Sequence, residues 1–214
     1  MPHPLLHELP LIAILRGLHP GEAIAIGEAL VSVGFRCIEV PLNSPDPLTS
    51  IAALRGRLDG RALVGAGTVL TLEQVAAVAS AGGQIIVSPN ANSDVIRATK
   101  MAELVSLPAF ATPTEAFTAI DAGADGLKLF PAEMSGAPAL AAMKAILPAD
   151  MPVFPVGGIT RETMAAFRKA GAAGFGIGSA VYKPGMTAAD VGLRAGTFVK
   201  AWRDLIQNAD DRQD

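Results

Sequence analysis

Eight short aliphatic runs punctuate this chain, and each is followed by a segment whose apolar residues recur at helical spacing. The runs lie at 11–16, 37–42, 62–69, 84–89, 103–109, 126–131, 152–157 and 174–179. A period-2 or continuous apolar run followed by a period-3.6 pattern is a β-α unit. Here the unit recurs at intervals of roughly 20–25 residues, and eight such units in ~200 residues predict a (β/α)8 (TIM) barrel. The competitor is a doubly wound open sheet, which also alternates β and α. It would need a glycine-rich phosphate turn after the first strand. The turn present is Arg16-Gly17-Leu18-His19-Pro20, which cannot cradle a dinucleotide. The barrel is therefore the expected fold, as a single domain over 11–207. Residues 1–10 are expected to form a short cap across the barrel bottom, and 208–214 a polar tail.

Local signals support these boundaries. Pro20 to Val33 reads as a helix. Thr71, Thr112 and Thr160 are N-cap candidates, with Pro113 suited to the first helical position and Glu115 to the third. A last helix is expected over Ala188 to Gln207, with Phe198 and Trp202 as packing residues. Glycines are expected to end helices at Gly34, Gly60, Gly83, Gly123 and Gly171. Aromatic residues make up only 5% of the chain, so the core is built from Ala, Val, Leu and Ile, as suits parallel strands buried on both faces.

Charge and cysteine content remove whole classes of partner. With 17 Lys plus Arg against 20 Asp plus Glu, the net charge is −3 and no basic run exists, so no nucleic-acid footprint is expected. The lone Cys37 excludes an intramolecular disulfide and reads as a small buried hydrophobe. His3, His7 and His19 have no evident partner, and no metal or cofactor site is expected. The N-terminus lacks a cationic region ahead of its apolar stretch. The longest uncharged stretch, Gln74 to Ser93, carries Gln, Ser, Asn, Pro and Gly and does not suit a membrane span. A cytoplasmic protein is the expectation.

Against strands so poor in charge, the ionisable residues mark the site. Glu103 opens its run and sits at the stabilising end. Arg16, Glu39 and Lys128 lie in the middle or at the C-terminal end, where barrels of this kind carry their chemistry. Burial disfavours the cationic form of Lys128 and makes a neutral amine available to condense with a carbonyl. The alternative is a structural ion pair with Glu39. Alternation places Cys37, Glu39 and Pro41 on one face and Ile38 and Val40 on the other. A carboxylate in that apolar wall has a raised pKa and suits proton shuttling, or else only neutralises its cationic neighbours. Arg16 suits a substrate carboxylate, and a surface arginine at a loop mouth is its plain alternative.

A second signal follows the seventh and eighth runs. Val156-Gly157-Gly158-Ile159-Thr160 precedes a helix, and Gly176, Gly178 and Ser179 lie in the next run, where barrels bind phosphate with glycine N–H groups. Small residues at Val64-Gly65-Ala66-Gly67-Thr68 either make room for substrate or let backbones pack closely.

Taken together, LKLFPAE around Lys128, IEVPLNSP around Glu39, VGAGTVL, SPN at 88–90 and VGGIT resemble the KDPG/KHG family of class I aldolases. The resemblance runs from about Leu11 to Ile206. It implies a (β/α)8 homotrimer that needs no metal or cofactor. It implies Lys128 as the Schiff-base lysine and Glu39 as the general acid/base. Arg16, Thr68 and Pro89 are implied as carboxylate- or pyruvate-pocket residues, and Gly157, Gly158 and Ser179, with Gly178 beside them, as the phosphate site. The substrate implied is a phosphorylated 2-oxo sugar acid, cleaved to pyruvate and glyceraldehyde 3-phosphate. Members that take the gluconate epimer typically read TLRT after the strand-two glutamate and PTGG in strand seven. Here the stretches are Val40-Pro41-Leu42-Asn43 and Pro155-Val156-Gly157-Gly158. Val156 cannot hydrogen-bond a substrate hydroxyl, which points to the galactonate C4 epimer; PAE at 131–133 is shared with the gluconate type. Phosphogluconate or 4-hydroxy-2-oxoglutarate cleavage is the alternative within the family. Outside it stand a metal-free phosphosugar epimerase or decarboxylase, and a barrel that binds sugar phosphates without turnover.

Overall fold

The computed structural model describes residues 3–210. Strands and helices alternate through them. The first half runs α1 (Pro4–Glu8), β1 (Leu11–Ile14), α2 (Pro20–Val33), β2 (Cys37–Pro41), α3 (Pro47–Arg57), β3 (Leu63–Gly67), α4 (Leu72–Ser80), β4 (Ile85–Val87) and α5 (Ser93–Met101). The second half runs β5 (Val105–Leu107), β6 (Ala109–Phe110), α6 (Pro113–Asp121), β7 (Leu127–Leu129), α7 (Ala132–Lys144), β8 (Val153–Pro155), α8 (Arg161–Lys169), β9 (Phe175–Ile177) and α9 (Ala188–Asp210). The last helix thus runs past the expected Gln207, and residues 211–214 of the expected tail lie outside the described ones.

All strand pairs are parallel, but they form two sheets rather than one uninterrupted eight-stranded sheet. One has the order β5-β4-β3-β2-β1-β9 and the other β6-β7-β8. The run at 103–109 is the reason at one seam. Pro108, which has no N–H to donate, divides it into β5, which pairs with β4, and β6, which pairs with β7. The Pro108 carbonyl still accepts from the Lys128 N–H at 2.9 Å. At the other seam β8 and β9 are linked by a single bridge, Val156 to Gly176, and by the Ala173 N–H donating to the Val153 carbonyl at 2.9 Å.

Alternation along the strands separates two apolar layers. Ile38, Val40, Val64, Leu127, Leu129 and Phe175 belong to the large cluster shared with the helices. Ile12, Cys37, Leu63, Ile85, Val105 and Phe154 form a smaller inner cluster, and Leu6 of α1 is fully buried among them. Four of these inner residues, Cys37, Leu63, Ile85 and Val105, open their strands. Helix α1 therefore closes the N-terminal end of the sheets and leaves the C-terminal end for a site. The Trp202 ring meets Phe175 edge-to-face at 6.0 Å, so the last helix is anchored as expected.

The caps form as read. Thr71, Thr112 and Thr160 each accept from the backbone N–H three residues on, and each is completed by the side chain at that third position. Such caps contribute ~1 kcal/mol each. Two helix ends differ from expectation: α3 is capped at Leu58, two residues before Gly60, and after α4 Gly82, at φ +81°, makes the left-handed turn while Gly83 only follows it, donating to the Val78 carbonyl at 2.9 Å.

Candidate active site

Lys128 and Glu39 are the two charged side chains buried among the described residues, at 7% and 2% exposure. Glu39 lies on the inward face of β2 with Cys37, as alternation requires, and pairs in register with Ile14 and Gly65. Lys128 sits in the centre of β7 between Ala109 and Phe154, with its Nζ 4.7 Å from the centre of the Phe130 ring. Neither takes part in an ion pair at contact distance; those pairs lie elsewhere in the described residues. Glu39 Oε2 is buried without a hydrogen-bond partner. The structural ion pair weighed against a functional lysine is therefore not what holds these groups.

Their electrostatics follow from burial first and from each other second. Burial lowers the pKa of Lys128; the Glu39 charge opposes the shift and Arg16 reinforces it. Burial raises the pKa of Glu39, against the opposing pull of Lys128 and then Arg16. Each group is moved toward its neutral form. Burial thus favours the uncharged amine of Lys128 and the protonated carboxyl of Glu39 over what either group shows in water. Cys37, fully buried beside them, has its thiol pushed up by burial and then by Glu39, and behaves as the small hydrophobe expected.

A cavity of about 410 Å³ opens at the C-terminal ends of β1, β8 and β9. It brings together Arg16, Val156, Gly157, Gly158, Gly178 and Ser179; Lys128 and Glu39 do not line it, and Lys128 lies behind Phe130, which does. Arg16 lies two residues beyond β1 and is exposed there. Gly157 and Gly158 take left-handed φ values of +101° and +63°, which turn the chain into the Thr160 cap of α8. Gly157, Gly158 and Thr160 all line the cavity, which puts the N-terminus of α8 at its wall, a placement suited to an anion. Thr68 and Pro89 do not line it. Thr68 follows β3 directly and Pro89 lies two residues beyond β4, also at the C-terminal end, and Thr68 is held at φ +57°, a strained value for a β-branched residue.

Three further polar residues escaped the sequence reading. Lys183 and Arg194 line the same cavity. Asn43 lines an adjoining lobe of about 450 Å³ that shares Arg16, Gly178, Ser179 and Lys183. Asn43 Oδ1 accepts from Arg16 Nη1 at 2.5 Å, and the Gly17 N–H donates to Ser44 Oγ at 3.0 Å, so the loop after β2 holds the turn that carries Arg16. Lys183 had one available signal, as the lone cation between Ser179 and α9. Among the described residues, no group of three His, Cys, Asp or Glu side chains is arranged to hold a metal, and no helix is long and apolar enough to cross a membrane.

The family model for KDPG and KHG aldolases matches residues 3–210. The chain belongs to the KDPG and KHG aldolase family. It is 48% identical over 200 residues to the 2-dehydro-3-deoxy-6-phosphogalactonate aldolase of Escherichia coli (strain K12), over 94% of this chain and 98% of that one. Identity to the 2-dehydro-3-deoxy-phosphogluconate aldolase of Treponema pallidum (strain Nichols) is 34%, over 68% of this chain and 69% of that one. Among solved structures, native KDPGal superposes with a TM-score of 0.92 at 48% identity, covering 94% of this chain and 97% of that one. The aldolase resemblance carried by the motifs around Lys128 and Glu39 is thus a relationship of nearly the whole chain.

Proposed function

We propose that this chain is a class I aldolase that cleaves 2-dehydro-3-deoxy-6-phospho-D-galactonate to pyruvate and D-glyceraldehyde 3-phosphate. The observation that carries this reading is Lys128: a buried amine with no ion-pair partner among the described residues, its pKa lowered by burial, set behind Phe130, which lines a cavity bordered by glycine turns and cations. The galactonate epimer is favoured over the gluconate one by Val156 in the cavity wall and by the higher identity to the galactonate-type relative.

The chemistry follows from the placement. Arg16, steadied by Asn43, takes the substrate carboxylate, with Thr68 and Pro89 beside the pyruvate end. The N–H groups of Gly157, Gly158 and Gly178, the Ser179 hydroxyl, Lys183 and Arg194 take the phosphate. Neutral Lys128 attacks the C2 carbonyl, Glu39 moves the protons, and water leaves as the imine forms. Glu39 then accepts the C4 hydroxyl proton, the C3–C4 bond breaks, and its electrons pass into the protonated imine. Glyceraldehyde 3-phosphate departs, the enamine takes a proton at C3, and water releases pyruvate from Lys128. In this scheme side chains, backbone N–H groups and water suffice, with no cofactor required.

The same reading joins β5 and β6 as one strand interrupted at Pro108, which closes the two sheets into a (β/α)8 barrel of one domain, with α1 as its bottom cap. We take the enzyme to be a cytoplasmic homotrimer. Large apolar side chains exposed on three consecutive helices, Met101, Phe117 and Met134, supply surface for subunit packing. Borohydride reduction in the presence of pyruvate tests the chemistry by intact mass. The wild type gains one reduced pyruvyl adduct and Lys128→Ala gains none; an adduct on the alanine variant refutes the assignment. An epimerase or decarboxylase that forms no imine gives no adduct at all, and a sugar-phosphate binder without turnover releases no pyruvate in a lactate dehydrogenase-coupled assay.

A further inference from the structure

Gly67 ends β3 and pairs in register with Pro41 on one side and Val87 on the other. Its backbone is not left-handed, so conformation alone does not require glycine there. The space beside it does. A methyl group at this position meets Glu39 Oε2 directly and comes within 2.5 Å of Glu39 Cδ and 3.0 Å of Oε1. The three nearest heavy atoms all belong to that one carboxyl group. Two residues earlier, Gly65 differs: a methyl there strikes the backbone carbonyl of Ile85, so strand packing accounts for it. At Gly67 the carboxylate, not strand backbone, is the nearest obstacle.

Glu39 Oε2 has no hydrogen-bond partner in the described residues, so no donor fixes that oxygen in place. Its location is set by shape. We propose that Gly67 is a positioning residue: the missing side chain is a seat for the Glu39 carboxyl, and the seat holds it at the depth from which it serves Lys128. In this proposal Gly67 acts through Glu39 and takes no part in the chemistry itself. The proposal rests on the reading of Glu39 as the general acid/base.

A mutant cycle tests it, using the full-length enzyme, aldol cleavage of the phosphorylated 2-oxo acid, and a thermal melt of each variant. General acid/base catalysis contributes ~10²–10⁴-fold, so Glu39→Gln lowers kcat by about that factor. A catalytic group displaced by ~1 Å costs about 10²-fold, so Gly67→Ala lowers kcat by about 100-fold with KM nearly unchanged. In the Glu39→Gln background, where no carboxylate remains to misplace, the same alanine costs less than roughly threefold in kcat, because contributions made through one shared group are not additive. Equal losses from Gly67→Ala in both backgrounds, or full activity of Gly67→Ala alone, overturn the proposal. Wild-type turnover by Glu39→Gln instead overturns the acid/base reading beneath it, so the two failures are told apart by the single variants.

Glu39→Asp supplies the folding control, since it withdraws the carboxyl by one methylene and vacates the seat. Gly67→Ala combined with Glu39→Asp is expected to melt at a higher temperature than Gly67→Ala alone. If Gly67→Ala unfolds and the aspartate does not restore the fold, the methyl meets something other than the carboxyl, and the proposal falls.

Discussion

Val156 is where the choice between C4 epimers is most open to measurement. Its backbone is pinned on both sides: its N–H donates to the Leu129 carbonyl at 3.0 Å, and its carbonyl accepts from the Ala132 N–H at 2.8 Å. Its γ methyls occupy the space beside Gly176, where an added Cβ would lie 2.6 Å from Cγ2. The side chain is 7% exposed and lines the cavity. Val156→Thr keeps the branched shape and the χ1 preference and changes one methyl to a hydroxyl. That hydroxyl adds a hydrogen bond to whichever epimer directs its C4 oxygen at this wall. A net hydrogen bond contributes about 0.5–1.5 kcal/mol, and 1.4 kcal/mol is tenfold, so the ratio of kcat/KM for the gluconate over the galactonate substrate should rise roughly two- to tenfold. Lactate dehydrogenase-coupled pyruvate release on both epimers, run side by side, reads that ratio. A ratio unchanged while both rates fall together would show that Val156 only packs, and that the C4 hydroxyl is recognised by another group.

Other consequences are directly testable. Because Lys128 must be neutral to attack and burial lowers its pKa, the acid limb of kcat/KM against pH should lie below the ordinary lysine value of 10.5. Glu39→Gln should move that limb lower still, since the Glu39 charge holds the lysine proton on; a limb that moves up contradicts the coupling. The same depressed pKa means Lys128 contributes most to stability above about pH 10.5 and loses that contribution as pH falls through its folded value, so Lys128→Met should flatten the slope of unfolding free energy against pH. Lys183→Ala removes a cation from the proposed phosphate end, and a charge-assisted hydrogen bond of about 1.5–3 kcal/mol predicts a roughly 10- to 150-fold rise in KM for the phosphorylated substrate. Pyruvate trapping by that variant should be unaltered. At exposed Gly56, the penultimate residue of α3, where an added methyl touches nothing within 4 Å, alanine should stabilise the fold by at most about 0.5–1 kcal/mol in a denaturant melt without changing turnover.

The threonine caps, the β-α order and the inward alternation of Cys37 and Glu39 could all be read ahead of the structure, because each depends on neighbours within a few residues. Lys128 and Glu39 were legible for a related reason: an ionisable residue inside an aliphatic run has few structural excuses. Pro108 was equally visible, yet its effect, one run split between two sheets, depends on which strand lies on each side. Gly67 shows the limit most clearly. Glycine in a strand has several causes, and only the carboxyl lying in its empty Cβ position separates them.

Lys183, Arg194 and Asn43 stayed hidden because a polar residue on a loop or a helix surface is the ordinary case and carries no signal by itself. The sequence alone determined the period of each element, its caps, and the three charged residues embedded in or ending apolar runs, since those follow from short-range geometry and the cost of burying charge. The tertiary structure alone decided which distant residues meet. Arg16 faces Asn43 and Lys183, and Glu39 rests on Gly67 beside Lys128, because parallel strands bring their C-terminal ends to one side whatever their separation along the chain.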